Sequence, residues 1–363
     1  MNVSRENTAE LTATIRIEVK PEDYTEQVNK VIKDYQKKAN IPGFRPGHVP
    51  SGLVRKMYGK AVLAEEVNKL ISDSLTNYVR EQELNLLGNP IPNQEKNSAI
   101  DFETHTSFEF FFDIGFAPVF KVPLGPETEV EDLEIVVDDS MIDKYVDESR
   151  NRFGTTIETV VTPAEMTIEF FNMVYPGETI QTGEQFRERI RTDASNSFKQ
   201  ESDKIFFNKA IDTLVKNTSF NLPDTFLKRW LLEYNEGKFT AEQIETDYDA
   251  FRESMKWQLI ESHIIKENNI KVTDEEIRDY MKNVMLRRVG MEFADPEMEK
   301  KYDSIVDAFM QNKEQVQRIN DQLYNARMMD LFKTMLNVVK KEIPYDEFVA
   351  IASKTHEHHD HEH

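Results

Sequence analysis

The chain reads as an α+β domain followed by an elongated all-α C-terminal portion with helical arms. Three observations predict this. The hydrophobic pattern alternates in twos near the N-terminus and recurs every three to four residues through most of the second half. Two of the later helical patterns are long: Thr240 to Asn268 would span about 43 Å and Asp303 to Lys340 about 57 Å if unbroken. A compact body of 363 residues would have a radius of gyration near 21 Å, so helices of that length imply arms. The third observation is composition. Hydrophobic residues make up 39%, charged residues 31%, and the mean hydropathy is −0.60, which favours a solvent-rich helical protein over one dense globule. At 363 residues two or three domains are expected.

From Thr8 to Val19, Leu11, Ala13, Ile15, Ile17 and Val19 alternate with Thr12, Thr14, Arg16 and Glu18, predicting a strand with one buried and one polar face. Pro21 then fits the first position of a helix, with Glu22 and Asp23 in its first turn. Tyr24, Val28, Val31, Ile32 and Tyr35 form its apolar stripe, and Pro42 ends it. A second helix is expected from about Ser51 to Glu83, with Gly59 as an irregularity. Gly88, Pro90 and Pro92 break the pattern, and Phe108, Phe110 and Phe112 mark a further strand. Residues 1–118 thus form the α+β domain.

Pro118, Pro123, Gly125 and Pro126 read as a linker. Residues 119–168 are assigned as linker and connector, with a strand-like piece from Val130 to Val137 and a helix over Asp138–Phe153 capped by Asp139 or Ser140. Residues 169–354 are assigned entirely to helices. Thr182 with Gln185, and Thr273 with Glu276, have the spacing of capping boxes, and Pro223 opens another helix. Residues 355–363 form a tail holding five of the eight histidines, read as a solvated end with at most weak metal affinity.

Between the first two helices lies Ile41-Pro42-Gly43-Phe44-Arg45-Pro46-Gly47-His48-Val49-Pro50. Prolines fix φ and glycines permit positive φ, so these residues predict a stiff, protruding loop with an aromatic and a guanidinium at its tip. The loop is central to a basic island. Lys30, Lys33, Lys37, Lys38, Arg45, Arg55, Lys56 and Lys60 face one acid, Asp34, in a chain of net charge −21. Such an island selects an anionic partner that the remaining surface would repel.

Several classes are excluded. Without cysteine there is no disulfide, thiolate metal site or cysteine nucleophile. The N-terminus has no apolar core of a signal peptide, and no apolar run approaches the ~18 residues of a membrane span, so a cytoplasmic protein without membrane contact is expected. Gly59-Lys60 lacks the glycine that a P-loop needs, and His48, His105 and His263 stand alone. No cofactor, catalytic residue or metal site is assigned.

The segment Gly43-Phe44-Arg45-Pro46-Gly47-His48-Val49-Pro50, placed between two helices of a small α+β domain and followed by a helical half, resembles the trigger factor family of ribosome-associated bacterial chaperones. The family's ribosome-binding signature, Gly-Phe-Arg-x-Gly-x-x-Pro, occurs here in full. The resemblance covers nearly the whole chain. It implies an ATP-independent chaperone that docks beside the exit tunnel of the large ribosomal subunit, on ribosomal protein and rRNA, and shields nascent polypeptides. It further implies a monomer–dimer equilibrium away from the ribosome. The docking residues carried over are Gly43, Phe44, Arg45, Pro46, Gly47, His48 and Pro50, with Lys37, Lys38, Arg55 and Lys56 adding attraction for RNA. Pro46 and His48 stand where family members often carry lysine, which predicts weaker docking. Phe170, Phe171, Trp230, Phe251 and Met255 are the candidates for client contact. Typical members also insert a peptidyl-prolyl isomerase domain of roughly a hundred residues. Here only about fifteen residues separate Phe153 from the C-terminal helices, below the ~40 at which domains begin to fold unaided, so a non-enzyme is expected. Two other readings remain: an isomerase hidden in residues 119–168, and a periplasmic-type holdase.

Overall fold

The computed structural model describes residues 1–39, 44–45, 48–97, 102, 106–157, 160–234, 238–288 and 296–351. In chain order the elements are β1 (Asn2–Ala9), β2 (Thr12–Val19), α1 (Pro21–Lys38), α2 (Ser51–Glu81), β3 (Leu86–Pro92), α3 (Gln94–Asn97), β4 (Phe108–Phe116), β5 (Glu129–Ile135), α4 (Asp139–Arg152), β6 (Thr155–Ile157) and β7 (Val160–Thr162). They continue with α5 (Ile168–Val174), α6 (Gly183–Asn217), α7 (Asp224–Tyr234), α8 (Ala241–Glu267), α9 (Asp274–Arg288), α10 (Pro296–Met310), α11 (Lys313–Met335) and β8 (Asn337–Ile343). Two compact units result: Met1–Phe120 with Ser219–Met255, and Lys121–Thr218 with Lys256–His363. An α+β N-terminal region and a helical C-terminal portion are thus present.

The first unit is built on an antiparallel sheet of order β1-β2-β4-β3. Ile15 pairs with Phe112 and Ile17 with Phe110. Ala13, Ile15, Ile17 and Val19 are buried, as the alternation predicts, against Val67 and Ile71 of α2. Each of the isoleucines and valines contributes about 1.5–3 kcal/mol by leaving water. The opposite face differs from expectation. Thr14, read as solvated, is 3% exposed, because α7 covers that side of the sheet. Phe226 lies over Gly115, where an added Cβ would come within 2.5 Å of its ring, and Arg229 reaches Asp113 at 2.8 Å.

Two strands of this sheet escape the sequence pattern. β1 is almost wholly exposed and carries little apolar signal; backbone pairing with β2 holds it. β3 forms despite Gly88, Pro90 and Pro92 because it is an edge strand whose register shifts between Leu87 and Ile91, where prolines need no ladder donor. Gly59 does not interrupt α2, which runs unbroken to Glu81.

The second unit is organised along α6, a helix of 35 residues opened by the expected Thr182–Gln185 capping box. Residues 119–168 carry more structure than a linker: β5 pairs in parallel with β8, from Glu129 opposite Asn337 to Ile135 opposite Ile343. Leu133, Ile205, Ile343 and Phe348 close a core beneath them. α4 is capped by Asp138, which accepts from the Met141 amide at 2.8 Å, rather than by Asp139 or Ser140. Asp139 and Asp143 instead pair with Arg191 and Arg187 of α6.

The pattern from Asp303 to Lys340 is not one helix. Asn312 ends the run by capping α11, its side chain accepting from the Gln315 amide at 3.2 Å. Val338 and Val339, read as helical, lie in β8, where β-branched residues suit the pairing with β5. α9 opens with the expected box, Thr273 Oγ1 accepting from the Glu276 amide at 3.3 Å. Arg278–Asp307 at 2.6 Å and Lys282–Asp303 at 2.5 Å join α9 to α10.

Candidate functional site

The candidate site is the connection between α1 and α2, within the first unit. The helices pack through Ile32, Val54 and Val62, joined by Val49 from the connection itself. Val49 is fully buried, and its carbonyl accepts from Gln36 Nε2 at 2.7 Å. Pro50 then starts α2, its carbonyl accepting from the amides of Leu53 and Val54 at 3.0 and 3.2 Å. The C-terminal root of the connection is therefore braced by a core side chain and a side-chain hydrogen bond.

Beyond that root the described side chains face solvent. Phe44 is 41% exposed, and Arg45, His48 and Pro50 are exposed as well. The His48 amide donates to the Arg45 carbonyl at 2.9 Å. Gly43, Pro46 and Gly47 lie outside the described residues. Phe44 thus presents an aromatic ring to solvent beside a closed core.

The electrostatics are one-sided. Lys37, Lys38, Arg55 and Lys56 are exposed. Asp34 bonds Lys37 at 3.0 Å. That ammonium, aided by Lys38 and Lys30, holds the Asp34 carboxyl below the ordinary carboxylate range. The lone acid of the island is thus already paired. Arg55 donates to Asn29 of α1, which orients one guanidinium across the hairpin. Tyr35, placed by periodicity at the end of the α1 stripe, is instead exposed and packs on Tyr58. Nothing in the spacing separated it from its buried neighbours, because the stripe turns outward where α2 begins.

The client candidates divide. Phe170 and Phe171 are 1% and 2% exposed, in a core with Ile142, Val146, Phe186 and Ile190. They are corrected to structural residues, since α5 is short and needs both rings to hold it on α6. Trp230, Phe251 and Met255 are half-buried. Trp230 stacks on Tyr234 with ring centroids 5.3 Å apart. The exposed apolar side chains of this region are Leu232, Tyr234 and Phe239. Leu232 lies off the four-residue spacing of Phe226 and Trp230, the signal by which the sequence shows it facing outward.

Among the described residues no group of three or more acid or histidine side chains could hold a metal ion. No described helix is long and apolar enough to cross a membrane. The histidine-rich tail beyond Ile351, and His105, lie outside the described residues.

Two families match the chain: bacterial trigger factor protein over residues 1–149, and probable trigger factor, C-terminal domain, over residues 202–351. Trigger factor of Pseudomonas aeruginosa strain LESB58 is 31% identical over 188 residues, 50% of this chain and 41% of that protein. Trigger factor of Pseudomonas syringae pv. syringae strain B728a is 30% identical over 224 residues, 61% of this chain and 50% of that protein. That of Trichodesmium erythraeum strain IMS101 is 30% identical over 205 residues, 52% of this chain and 39% of that protein. The chain thus spans half or less of the length of these curated relatives. A solved structure of the trigger factor chaperone, studied for promiscuous substrate recognition in folding and assembly, shares the fold. Its TM-score is 0.53 at 14% identity, covering 92% of this chain and 99% of that one. These matches define the class, the bacterial trigger factor proteins. The chain belongs to the trigger factor family.

Proposed function

We propose that the chain docks through its α1–α2 connection beside the exit tunnel of the large ribosomal subunit and shields apolar segments of nascent polypeptides without using nucleotide. The observation that carries this is Phe44 with Arg45, exposed on a braced connection within a basic island of an acidic protein. Arg45 can fork onto a phosphate or carboxylate, and Phe44 can enter an apolar crevice or stack on a base. Client capture is driven by burial of apolar surface, and a folded client leaves because that surface has been withdrawn. Docking at the ribosome places the protein in the cytoplasm. The monomer–dimer equilibrium away from the ribosome is carried over from the family resemblance.

The test is co-sedimentation with 70S particles. Replacing Phe44, Arg45 and Pro46 by alanine is expected to abolish pelleting while suppression of client aggregation, with or without ATP, stays intact. Undiminished pelleting of the triple variant would refute docking through this connection.

A non-enzymatic role is part of the same reading. The stretch between the two matched regions, residues 150–201, is taken up by the end of α4, β6, β7, α5 and the first half of α6. All of these belong to the second unit. Catalysis in a proline-peptide isomerisation assay would overturn this part and favour the isomerase alternative.

A further inference from the structure

We infer that the paired tyrosines of the α1–α2 hairpin, Tyr35 and Tyr58, form a base-stacking platform for single-stranded RNA. The setting of this platform rests on the docking reading above; its chemistry does not.

The two rings meet across the hairpin with centroids 5.4 Å apart and planes tilted by 38°. They have unequal roles. Tyr58 is half-buried against the hairpin core, whereas Tyr35 is 42% exposed. The contrast within α1 is informative. Tyr24 is buried, and its hydroxyl donates to the Thr106 carbonyl at 2.8 Å, so it serves the fold. Tyr35 does not: Ile32, Val49, Val54 and Val62 already close the core at this end. Its ring is supported from behind by Tyr58 and presents a surface to solvent.

Cations come from both helices. Lys38 follows Tyr35 by three residues, a spacing that places it on the face of the exposed ring, and Arg55 of α2, three residues before Tyr58, is held across the hairpin on Asn29. Aromatic faces with neighbouring cations bind single-stranded nucleic acid, the ring taking the base and the cations taking phosphates. An apolar protein crevice would require aliphatic surface around the ring. Of the α1 residues at helical spacing from Tyr35, which are Val31, Ile32, Lys38 and Ala39, the exposed one is the cation Lys38. Asp34, next to Tyr35 in the chain, is occupied by Lys37 at 3.0 Å, so it does not repel a phosphate as a free carboxylate would. The chain's net charge of −21 limits any such contact to this island, so a platform for a few nucleotides is expected rather than a long RNA groove.

The experiment uses the full chain and a fluorescently labelled adenine-rich RNA octamer, with binding read by anisotropy at low salt. Stacking on one aromatic ring implies that Tyr35→Ala weakens binding about tenfold. Tyr35→Phe keeps wild-type affinity because the ring face remains. Tyr35→Leu, apolar but without a π-face, falls with alanine. The salt slope is unchanged in Tyr35→Ala, whereas Lys38→Gln lowers it by about 0.7, the value of one single-strand phosphate contact. Absence of octamer binding by wild type, unchanged affinity in Tyr35→Ala, or full affinity in Tyr35→Leu would each overturn the platform. So would a Tyr35→Ala variant that loses ribosomes but keeps the octamer, which would assign the tyrosines to a ribosomal protein. The docking reading fails separately, in the Phe44–Arg45–Pro46 pelleting test.

Discussion

Asp113 is the residue whose loss should most clearly separate α7 from the sheet it covers. Its carboxylate accepts from Thr14 Oγ1 at 2.7 Å, from Asn93 Nδ2 at 3.0 Å and from Arg229 Nη1 at 2.8 Å. The side chain is 16% exposed, that of Arg229 40%. Asp113→Ala strands three donors. A hydrogen bond to a charged group contributes about 1.5–3 kcal/mol, and the buried Thr14 hydroxyl bears most of the penalty. The Arg229 leg is partly solvated and is discounted to below about 1 kcal/mol. Together the expected loss is about 4 kcal/mol. In a Trp257→Phe background Trp230 is the sole tryptophan, and it lies one residue from Arg229, so its emission in urea reports on α7. The Asp113→Ala transition should fall well below that of the parent. Thr14→Val in the same background should restore about 1–2 kcal/mol, since an orphaned hydroxyl is removed. A transition within about 0.5 kcal/mol of the parent would refute the claim that this carboxylate pins α7 to the sheet.

Two further outcomes follow from local geometry. Gly88 has φ of +70°, and an added Cβ would stand 2.6 Å from the Trp230 indole nitrogen, so Gly88→Ala should cost about 2–4 kcal/mol by the same fluorescence assay; an effect below about 1 kcal/mol would show that β3 relaxes freely. Tyr175 is pushed up to about 12, first by burial and then by its hydrogen bond to Asp193. A raised phenol stabilises the fold below its unfolded value near 10 and loses that contribution as pH climbs from 10 toward 12. Stability measured across that window should fall in the parent and fall less in Tyr175→Phe; equal slopes would show that Tyr175 is not the titrating group.

Most of the elements were legible because their signals are local. The alternation of β2, Pro21 at the start of α1, and the Thr182–Gln185 and Thr273–Glu276 boxes all lie within a few residues of what they specify. The failures share a different cause. Thr14 is buried by a helix more than two hundred residues away, which no window on β2 contains. β8 is a strand because β5 awaits it across two hundred residues of chain, and its own Val338-Val339 fits either period. At the candidate site the exposed basic residues were visible as residue types. The exposure of Tyr35 was not, because it depends on where α2 passes α1.

The opposed charges of the island and the rest of the chain make a prediction about salt that neither makes alone. At about 10 mM salt the screening length is roughly 30 Å, so an anionic ribosome would feel much of the chain's charge of −21 as well as the island. Near 0.15 M it is about 8 Å, and only the residues at the contact are felt. There the balance reverses, since Lys37, Lys38, Arg45, Arg55 and Lys56 are exposed and Asp34 is paired. By about 0.5 M the local attraction is itself screened and displaced by counterions. Ribosome affinity should therefore pass through a maximum at intermediate salt instead of declining throughout. Pelleting across about 10 to 500 mM salt at fixed magnesium tests this. A monotonic decline would mean that the acidic surface stays too far from the ribosome to oppose binding, and a flat profile would mean that the island's charges make no contact.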